Sequence, residues 1–556
     1  MSGTASPFQY KPDLLATCAL DGAATNACEK LFNLHAQHYG YAHLMHDKNS
    51  PSSVASRFDV FCDSARQVYH HNSLLSDVSG YRLTLNQFSH LFEDEKEALL
   101  SPVVDTKFGF PDNSIRVNLG DLSDSKNSIE KSFDWNWEAS KSKWRGISRE
   151  TKKFLHGAQK KYQKYDNTNS DGLYDFLNWA SDENPDGTRI VHTPVDQGSC
   201  GSCWAIVTTG AVEASVVRNA GFVTFTKTIL QLIKDGVDYT NKTEVTSMLH
   251  QAKSEAMSVE KRAFPAASLS FQELLDCDTK YDQGCVGGNP MIAFSFVSKY
   301  GLASSFSYPY VGYQQQCQMD KADNPIATMQ SFGILPSYHE KNMAKVMGAL
   351  GPIAVGLSVT DPSFMHYVGG IYNSSVCTEE LNHALLLVGY GEEPLNDGTN
   401  GTQKYWIARN SWGEGWGEGG YVRLARSGID IGRTGSSVCG IGIDPSIPLG
   451  ASFISDDYLN NQISSMSENA PTDSLTQSDC VGLQCLFDRF ELQFKHYAIL
   501  FLFIFCCCAL FSWCSKMRQG RIQRKDEETA VLVGSMKNYG SSEFLDPRRE
   551  SSFTSA

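Results

Sequence analysis

The stretch Gln197-Gly198-Ser199-Cys200-Gly201-Ser202-Cys203-Trp204 places a cysteine just ahead of AIVTTGAVEASVVRNAG, a run of small and apolar residues with helical character. Gly221 closes that run and is a candidate helix stop. Cys203 then sits at a helix N-terminus, where free N–H groups and the macrodipole favour the thiolate and pull a thiol down from its usual pKa of about 8.5. Such a thiolate is a nucleophile if a base stands beside it. Spacing alone leaves open a Cys-x-x-Cys redox pair of Cys200 with Cys203, although such pairs sit early in a short βαβ unit and this one does not. A zinc site needs a second pair of ligands at suitable spacing, and the sequence offers none. Seven cysteines fall between Cys200 and Cys439, and an odd count suits three disulfides plus one thiol in an oxidising compartment.

The segment around Cys203 resembles the active-site signature of the papain and cathepsin family. Further segments agree in order: LSFQELLDC (269–277), GCVGG (284–288), YPY (308–310), GPIAVGL (351–357), LNHALLLVGYG (381–391), KYWIARNSWGEGWGEGGYVRL (404–424) and CGI (439–441). The resemblance implies an α+β, papain-like two-lobed fold. A helical lobe built on the Cys203 helix would face an antiparallel β-barrel lobe across a cleft that takes peptide.

Carried over by position, Cys203 resembles the nucleophile, His383 the general base and acid, and Asn410 the amide that orients the imidazole. A near-neutral pKa lets a histidine accept the thiol proton and return it to the leaving amine. Gln197 resembles the side-chain donor of an oxyanion hole completed by the Cys203 N–H, and Trp412 the ring that shields the His–Asn hydrogen bond. The resemblance also implies the disulfides Cys200–Cys285, Cys277–Cys317 and Cys377–Cys439, leaving Cys203 as the thiol. Asp444 falls where the family has the floor of a substrate pocket, with Gly288, Pro290, Gly356, Leu381 and Ala384 as walls. The stretch CDTKYDQGC (277–285) has no room for the histidine-bearing occluding loop of dipeptide-removing relatives, which favours an endopeptidase.

Cys203 and His383 are 180 residues apart, against about 130–150 in the family signature. The excess sits between Glu213 and Cys277, as an insertion of roughly 40 residues around 222–267. It carries the sequon at Asn241; Asn373 and Asn400 begin two more, as in a glycosylated lumenal domain.

These residues need elements to position them and to keep them silent. Residues 30–100 look helical, with Arg57, Phe61, Val68 and Asn72 spaced to share one face. They fit part of the family's interrupted propeptide motif, and Asn86-Gln87-Phe88 its downstream element, so this region is expected to cover the cleft as the enzyme's own inhibitor. Ser53, Ser64 and His90 stand where the motif has Glu, Asn and Asp. Residues 101–172 turn polar and Lys-rich, as in an exposed processing linker. The catalytic domain is expected over 173–450, followed by a stalk over 451–496 with little to bury.

Tyr497 to Cys514, YAILFLFIFCCCALFSWC, is eighteen residues without a charge, long enough for one membrane-spanning helix. The basic run that follows puts residues 515–556 in the cytosol by the positive-inside rule. The catalytic domain would then be lumenal or extracellular, at a lysosome-like or vacuolar membrane or, alternatively, the cell surface. The N-terminus has no basic start or apolar run of a signal peptide. A net charge of −14 argues against nucleic acid as a partner, and no metal or other cofactor is called for; the implied partners are protein or peptide substrates.

Overall fold

Every residue from Cys203 to Ala214 is buried, and the helix they begin runs from Cys203 to Lys234. Small and apolar side chains on all sides let this helix lie at the centre of the domain rather than on its surface. Helices Phe271–Cys277 and Pro290–Tyr300 pack against it. The first is capped by Ser270, whose hydroxyl accepts from the Glu273 N–H at 3.0 Å; the second by Asn289 with Pro290 in its first turn, both ordinary helix-start chemistry. The structure is a computed structural model, and it describes residues 7–21, 26–41, 51–100, 114–116, 150–158 save 152 and 156, 173–395, 401–427 and 437–455.

The Cys203 helix does not stop at Gly221. It continues to Lys234, and helix Lys242–Ala266 returns alongside it, so the insertion forms a helical hairpin. Gly221 serves the crossing of the two helices: a Cβ there would lie 2.0 Å from Glu260 Oε1. Glu260 is wholly buried, and its Oε2 accepts from Thr188 Oγ1 at 2.7 Å. Absence of a side chain thus admits a carboxylate between helices, which overrides the usual reading of glycine as a terminator. Asn241 caps the returning helix by accepting from Thr243 N at 3.0 Å.

Among the described residues there are twelve strands: β1 (Tyr81–Leu83), β2 (Ser114–Arg116), β3 (Leu177–Asn178), β4 (Ala327–Thr328), β5 (Ser331–Ile334), β6 (Ile353–Leu357), β7 (Tyr367–Tyr372), β8 (His383–Pro394), β9 (Thr402–Arg409), β10 (Tyr421–Ala425), β11 (Ser446–Leu449) and β12 (Ser452–Phe453). Ten of them share one sheet in the order β1-β7-β10-β9-β8-β6-β11-β5-β2, with β3 paired to β8. Its pairings are antiparallel except β7 with β10 and β2 with β5. The first nine residues of β8 are all buried, because the Cys203 helix packs on this strand.

Residues 7–100 form a helical unit that contributes β1 to the sheet edge, Tyr81 opposite Gly370. Phe61 and Val68 are fully buried in helix Pro51–His70, each contributing about 1.5–3 kcal/mol. Arg57 forks onto Glu95 at 2.5 and 2.8 Å, and the Asn72 amide pairs with both the N–H and the carbonyl of Leu83 at 2.9 and 2.8 Å. Asn72 itself lies in a π turn, His71–Leu75, beyond the helix end. A disulfide, Cys18–Cys28, links the first two helices of this unit.

The segment 101–172 is not uniformly exposed. β2 lies in it, and Thr151, Leu155 and Ala158 of the helical residues 150–158 are buried. Among the described residues no helix is long and apolar enough to cross a membrane; the expected span 497–514 and the tail 515–556 lie outside them.

Candidate active site

Ser202 precedes the helix and Cys203 is its first residue, fully buried and in no disulfide. A disulfide between Cys200 and Cys285 holds the preceding turn. Gly201 donates to the Cys285 carbonyl at 3.0 Å, and a Cβ at Gly201 would lie 2.5 Å from that same oxygen. Only glycine permits this approach. Trp204 donates Nε1–H to Gly284 O at 3.0 Å and lays its ring over Gly288, where a Cβ would come within 2.4 Å.

His383 opens β8 and Asn410 follows the last residue of β9. Asn410 Oδ1 is 2.8 Å from His383 Nε2 and also accepts from Ser411 N at 2.8 Å. Since an amide oxygen only accepts, Nε2 carries the proton and Nδ1 of the neutral ring carries the lone pair. Nδ1 is buried with no hydrogen-bond partner. Trp412 stacks on the imidazole at 4.7 Å between centroids, 26° from parallel. Burial holds His383 down at about 4, opposed by the Asn410 hydrogen bond.

Gln197 is fixed on every polar atom of its amide. Ser411 Oγ donates to Oε1 at 2.6 Å, and Nε2 donates to Cys200 O at 2.9 Å and to Leu99 O at 2.8 Å. The backbone N–H donates to Ser411 O at 2.9 Å. Leu99 belongs to the N-terminal unit, which also covers the other side of the site. Gln87 Nε2 donates to Trp412 O at 3.2 Å, Phe88 packs edge-on to Trp412 at 5.0 Å, and Asn86 Nδ2 donates to Met365 O at 2.7 Å.

His383, Asn410 and Trp412 are thus in mutual contact at the ends of β8 and β9, Ser411 ties them to Gln197, and Gln197 reaches the Cys200 carbonyl in the turn that leads into Cys203; all of these side chains are buried. Two residues that support this arrangement escaped the sequence reading. Arg409, fully buried, donates Nη1 to His192 O at 3.1 Å and Nη2 to Ile206 O at 3.4 Å, and Gly210 leaves the space its guanidinium fills. Ser411 clamps Gln197. Its place directly after Asn410 was the available signal.

Gly356 pairs with Ala384 across β6 and β8, and Leu381 packs over Gly356, where a Cβ would lie 2.6 Å from Leu381 Cδ1. Gly288 and Pro290 sit on the helical side, beside Trp204 and at the start of helix Pro290–Tyr300. Asp444 is half-buried, two residues before Ser446, which pairs with Ala354. Disulfides also join Cys277 to Cys317 and Cys377 to Cys439. Asn241 and Asn373 are exposed; Asn400 lies outside the described residues. Among the described residues the grouping with metal-ligand atoms is Cys18, Cys28 and Cys62, and two of its sulfurs are consumed by their disulfide.

Residues 178–230 and 248–449 match the papain family of cysteine proteases, and the chain carries a peptidase domain of that family. Cysteine proteinase RD21A of Arabidopsis thaliana is 29% identical over 403 residues, covering 72% of this chain and 63% of that protein. Cathepsin L of Sarcophaga peregrina is 28% identical over 412 residues, covering 73% of this chain and 90% of that protein. The KDEL-tailed cysteine endopeptidase CEP2 of Arabidopsis thaliana reaches 34% over 288 residues, with 62% of its length covered. The chain thus spans less than two thirds of several curated relatives it matches. Digestive procathepsin L 3 of Tenebrio molitor larval midgut superposes with a TM-score of 0.48 at 24% identity, over 76% of this chain and all of that one.

Proposed function

We propose that the chain is a cysteine endopeptidase zymogen, with Cys203 as nucleophile and His383 as proton shuttle. The observation that carries this reading is the hydrogen bond from Gln197 Nε2 to the Leu99 carbonyl at 2.8 Å: the donor of the oxyanion hole already holds a peptide carbonyl of the chain's own N-terminal unit.

In the freed enzyme the Cys203 sulfur attacks the scissile carbonyl carbon while its proton passes to His383 Nδ1. The oxyanion that forms is held by Gln197 Nε2–H and the Cys203 N–H. Collapse breaks the C–N bond, and the imidazolium gives its proton to the departing amine, leaving a thioester. Water, deprotonated by His383, then hydrolyses the thioester. Asn410 keeps the ring in the tautomer that leaves Nδ1 toward the chemistry, and Trp412 excludes water from that bond.

Residues 7–100 are the inhibitory propeptide in this reading. Asp444 supplies the floor of a pocket for the substrate residue two before the scissile bond and accepts arginine as well as an apolar side chain. Membrane attachment through 497–514, with the catalytic domain lumenal, rests on the uncharged span and the basic residues after it.

An epoxysuccinyl inhibitor alkylates an activated thiolate. The acid-treated chain is expected to take up one label, and Cys203→Ala to take up none; a wild-type chain that resists labelling and leaves Phe-Arg peptides uncut would defeat the proposal. Loss of Arg-Arg over Phe-Arg cleavage in Asp444→Ala is the corresponding test of the pocket.

A further inference from the structure

The helical hairpin encloses a small core separate from the main one. Phe222, Phe225 and Ile229, spaced three and four apart on the outgoing helix, face Met248, Ala252 and Ala256 on the returning one. Leu155, fully buried, and Ala158, 4% exposed, belong to this same cluster, with Phe154 packed against it. The Phe154 ring lies 5.3 Å from that of Tyr239, at the hairpin's turn. Residues 150–158 thus bury their apolar side chains in the catalytic domain's insertion, and among the described residues the cluster holds nothing from 7–100.

The match to the papain family begins at residue 178 and skips residues 231–247 at the hairpin tip. Residues 150–158 therefore lie outside the matched span, and they pack both on matched hairpin residues such as Phe225 and Ala252 and on Tyr239 in the skipped tip. Alanines at 252 and 256 supply little volume of their own, so the apolar face of the outgoing helix depends on what lies over it. Removing Leu155 and Phe154 would expose Phe225 and Ile229, now 2% and 0% exposed, as a contiguous apolar patch of the kind soluble domains avoid.

We infer that residues 150–158 are a permanent strap of the catalytic domain, clamped by the inserted hairpin and retained when the N-terminal inhibitory unit is removed. The inference rests on the zymogen reading for the event of removal, not for the packing. Processing then separates residues 7–100 from a mature enzyme that starts well before residue 173.

Two measurements on the full chain test it. After acid activation, intact mass of the epoxysuccinyl-labelled species is expected to include residues 150–158, covalently or as a fragment that stays bound in native mass spectrometry. A labelled enzyme lacking those residues overturns the inference. Independently of any activity, Leu155→Asp is expected to raise hydrogen exchange in residues 222–233 and 245–256 by at least about tenfold through local opening, with Leu155→Met close to wild type. Unchanged exchange in the hairpin of Leu155→Asp would overturn it as well. If no labelling occurs, the zymogen reading fails while the exchange experiment still decides the packing.

Discussion

Gln197 Nε2 donates to the carbonyl of Leu99 at 2.8 Å, two residues 98 positions apart in the chain. The same amide is held from behind by Ser411, so its direction is set before any substrate arrives. Preorganised donors of this kind stabilise developing negative charge without reorganising in the reaction. Gln197→Ala is expected to lower kcat of the activated enzyme by about 10²–10³ with KM little changed. Steady-state kinetics on a fluorogenic peptide check this, and a kcat within threefold of wild type would contradict the role.

Three histidines are buried where the N-terminal unit meets the catalytic domain. His35 binds Tyr41 Oη at 2.6 Å and Asn86 O at 2.8 Å, beside Tyr39, His38, His90 and His366. His90 stacks on Tyr41 at 3.8 Å and faces Arg57 and Glu95. His366 faces Ser89 Oγ at 3.4 Å and Lys96. Burial lowers His35 and His366 to about 3 and His90 to about 4, from 6.5. Each folded value lies below the unfolded one, so the docked state is fully stable above pH 6.5 and loses stability as pH falls from there toward 4. By pH 5 each histidine removes about 1–2 kcal/mol. Hydrogen exchange in residues 57–99 of the Cys203→Ala chain should therefore rise steeply below pH 6.5, and less steeply in His90→Gln. A flat profile from pH 7 to 4.5 would exclude histidine control of release.

Asp278 and Asp282 are buried together between the disulfides at Cys277 and Cys285. Burial raises Asp278 to about 7 and, together with the Asp278 charge, lifts Asp282 well above its ordinary value. Folded values above the unfolded 3.8 mean that this pair binds extra protons in the folded state, so its contribution to stability is fully present below pH 3.8 and is lost as pH rises through about 7. The buried histidines act in the opposite sense, so the prediction is comparative: from pH 5 to pH 8 the melting temperature of the catalytic domain is expected to decline relative to that of Asp282→Asn. Calorimetry across this range checks it; the same pH dependence in the variant would remove the pair as a cause.

Gly221→Ala pits helix propensity, a gain of about 1 kcal/mol, against the Glu260 carboxylate lying where the methyl would go. Glu260 is wholly buried and tied to Thr188, so overpacking wins and the net loss is about 1–2 kcal/mol. The melting temperature should fall by about 2–6 °C. A stabilised variant would mean that Glu260 moves aside at no cost.

The family and its α+β fold were legible because their signals are local. Cys203 lies in a turn that runs directly into its helix, and the segments around His383 and Asn410 keep a recognisable order along β8 and β9. Gly221 misleads for the same reason. Read locally, a glycine after a helical run signals an end, whereas its role is set by Glu260, 39 positions later. The polar stretch 101–172 likewise gave no sign that Leu155 is buried, since one leucine among lysines has no periodicity from which to infer a face.

Residue type, near-neighbour spacing and the resemblance they carry were enough for the α+β fold and for the start of a helix at Cys203, because backbone geometry over a few turns follows from the chain itself. The bare Nδ1 of His383, the carbonyl of Leu99 at Gln197, the histidines collected between two units and the strap over the hairpin belong to the packed molecule. Each depends on segments tens to hundreds of positions apart, and only burial and close packing bring those together and set their charge.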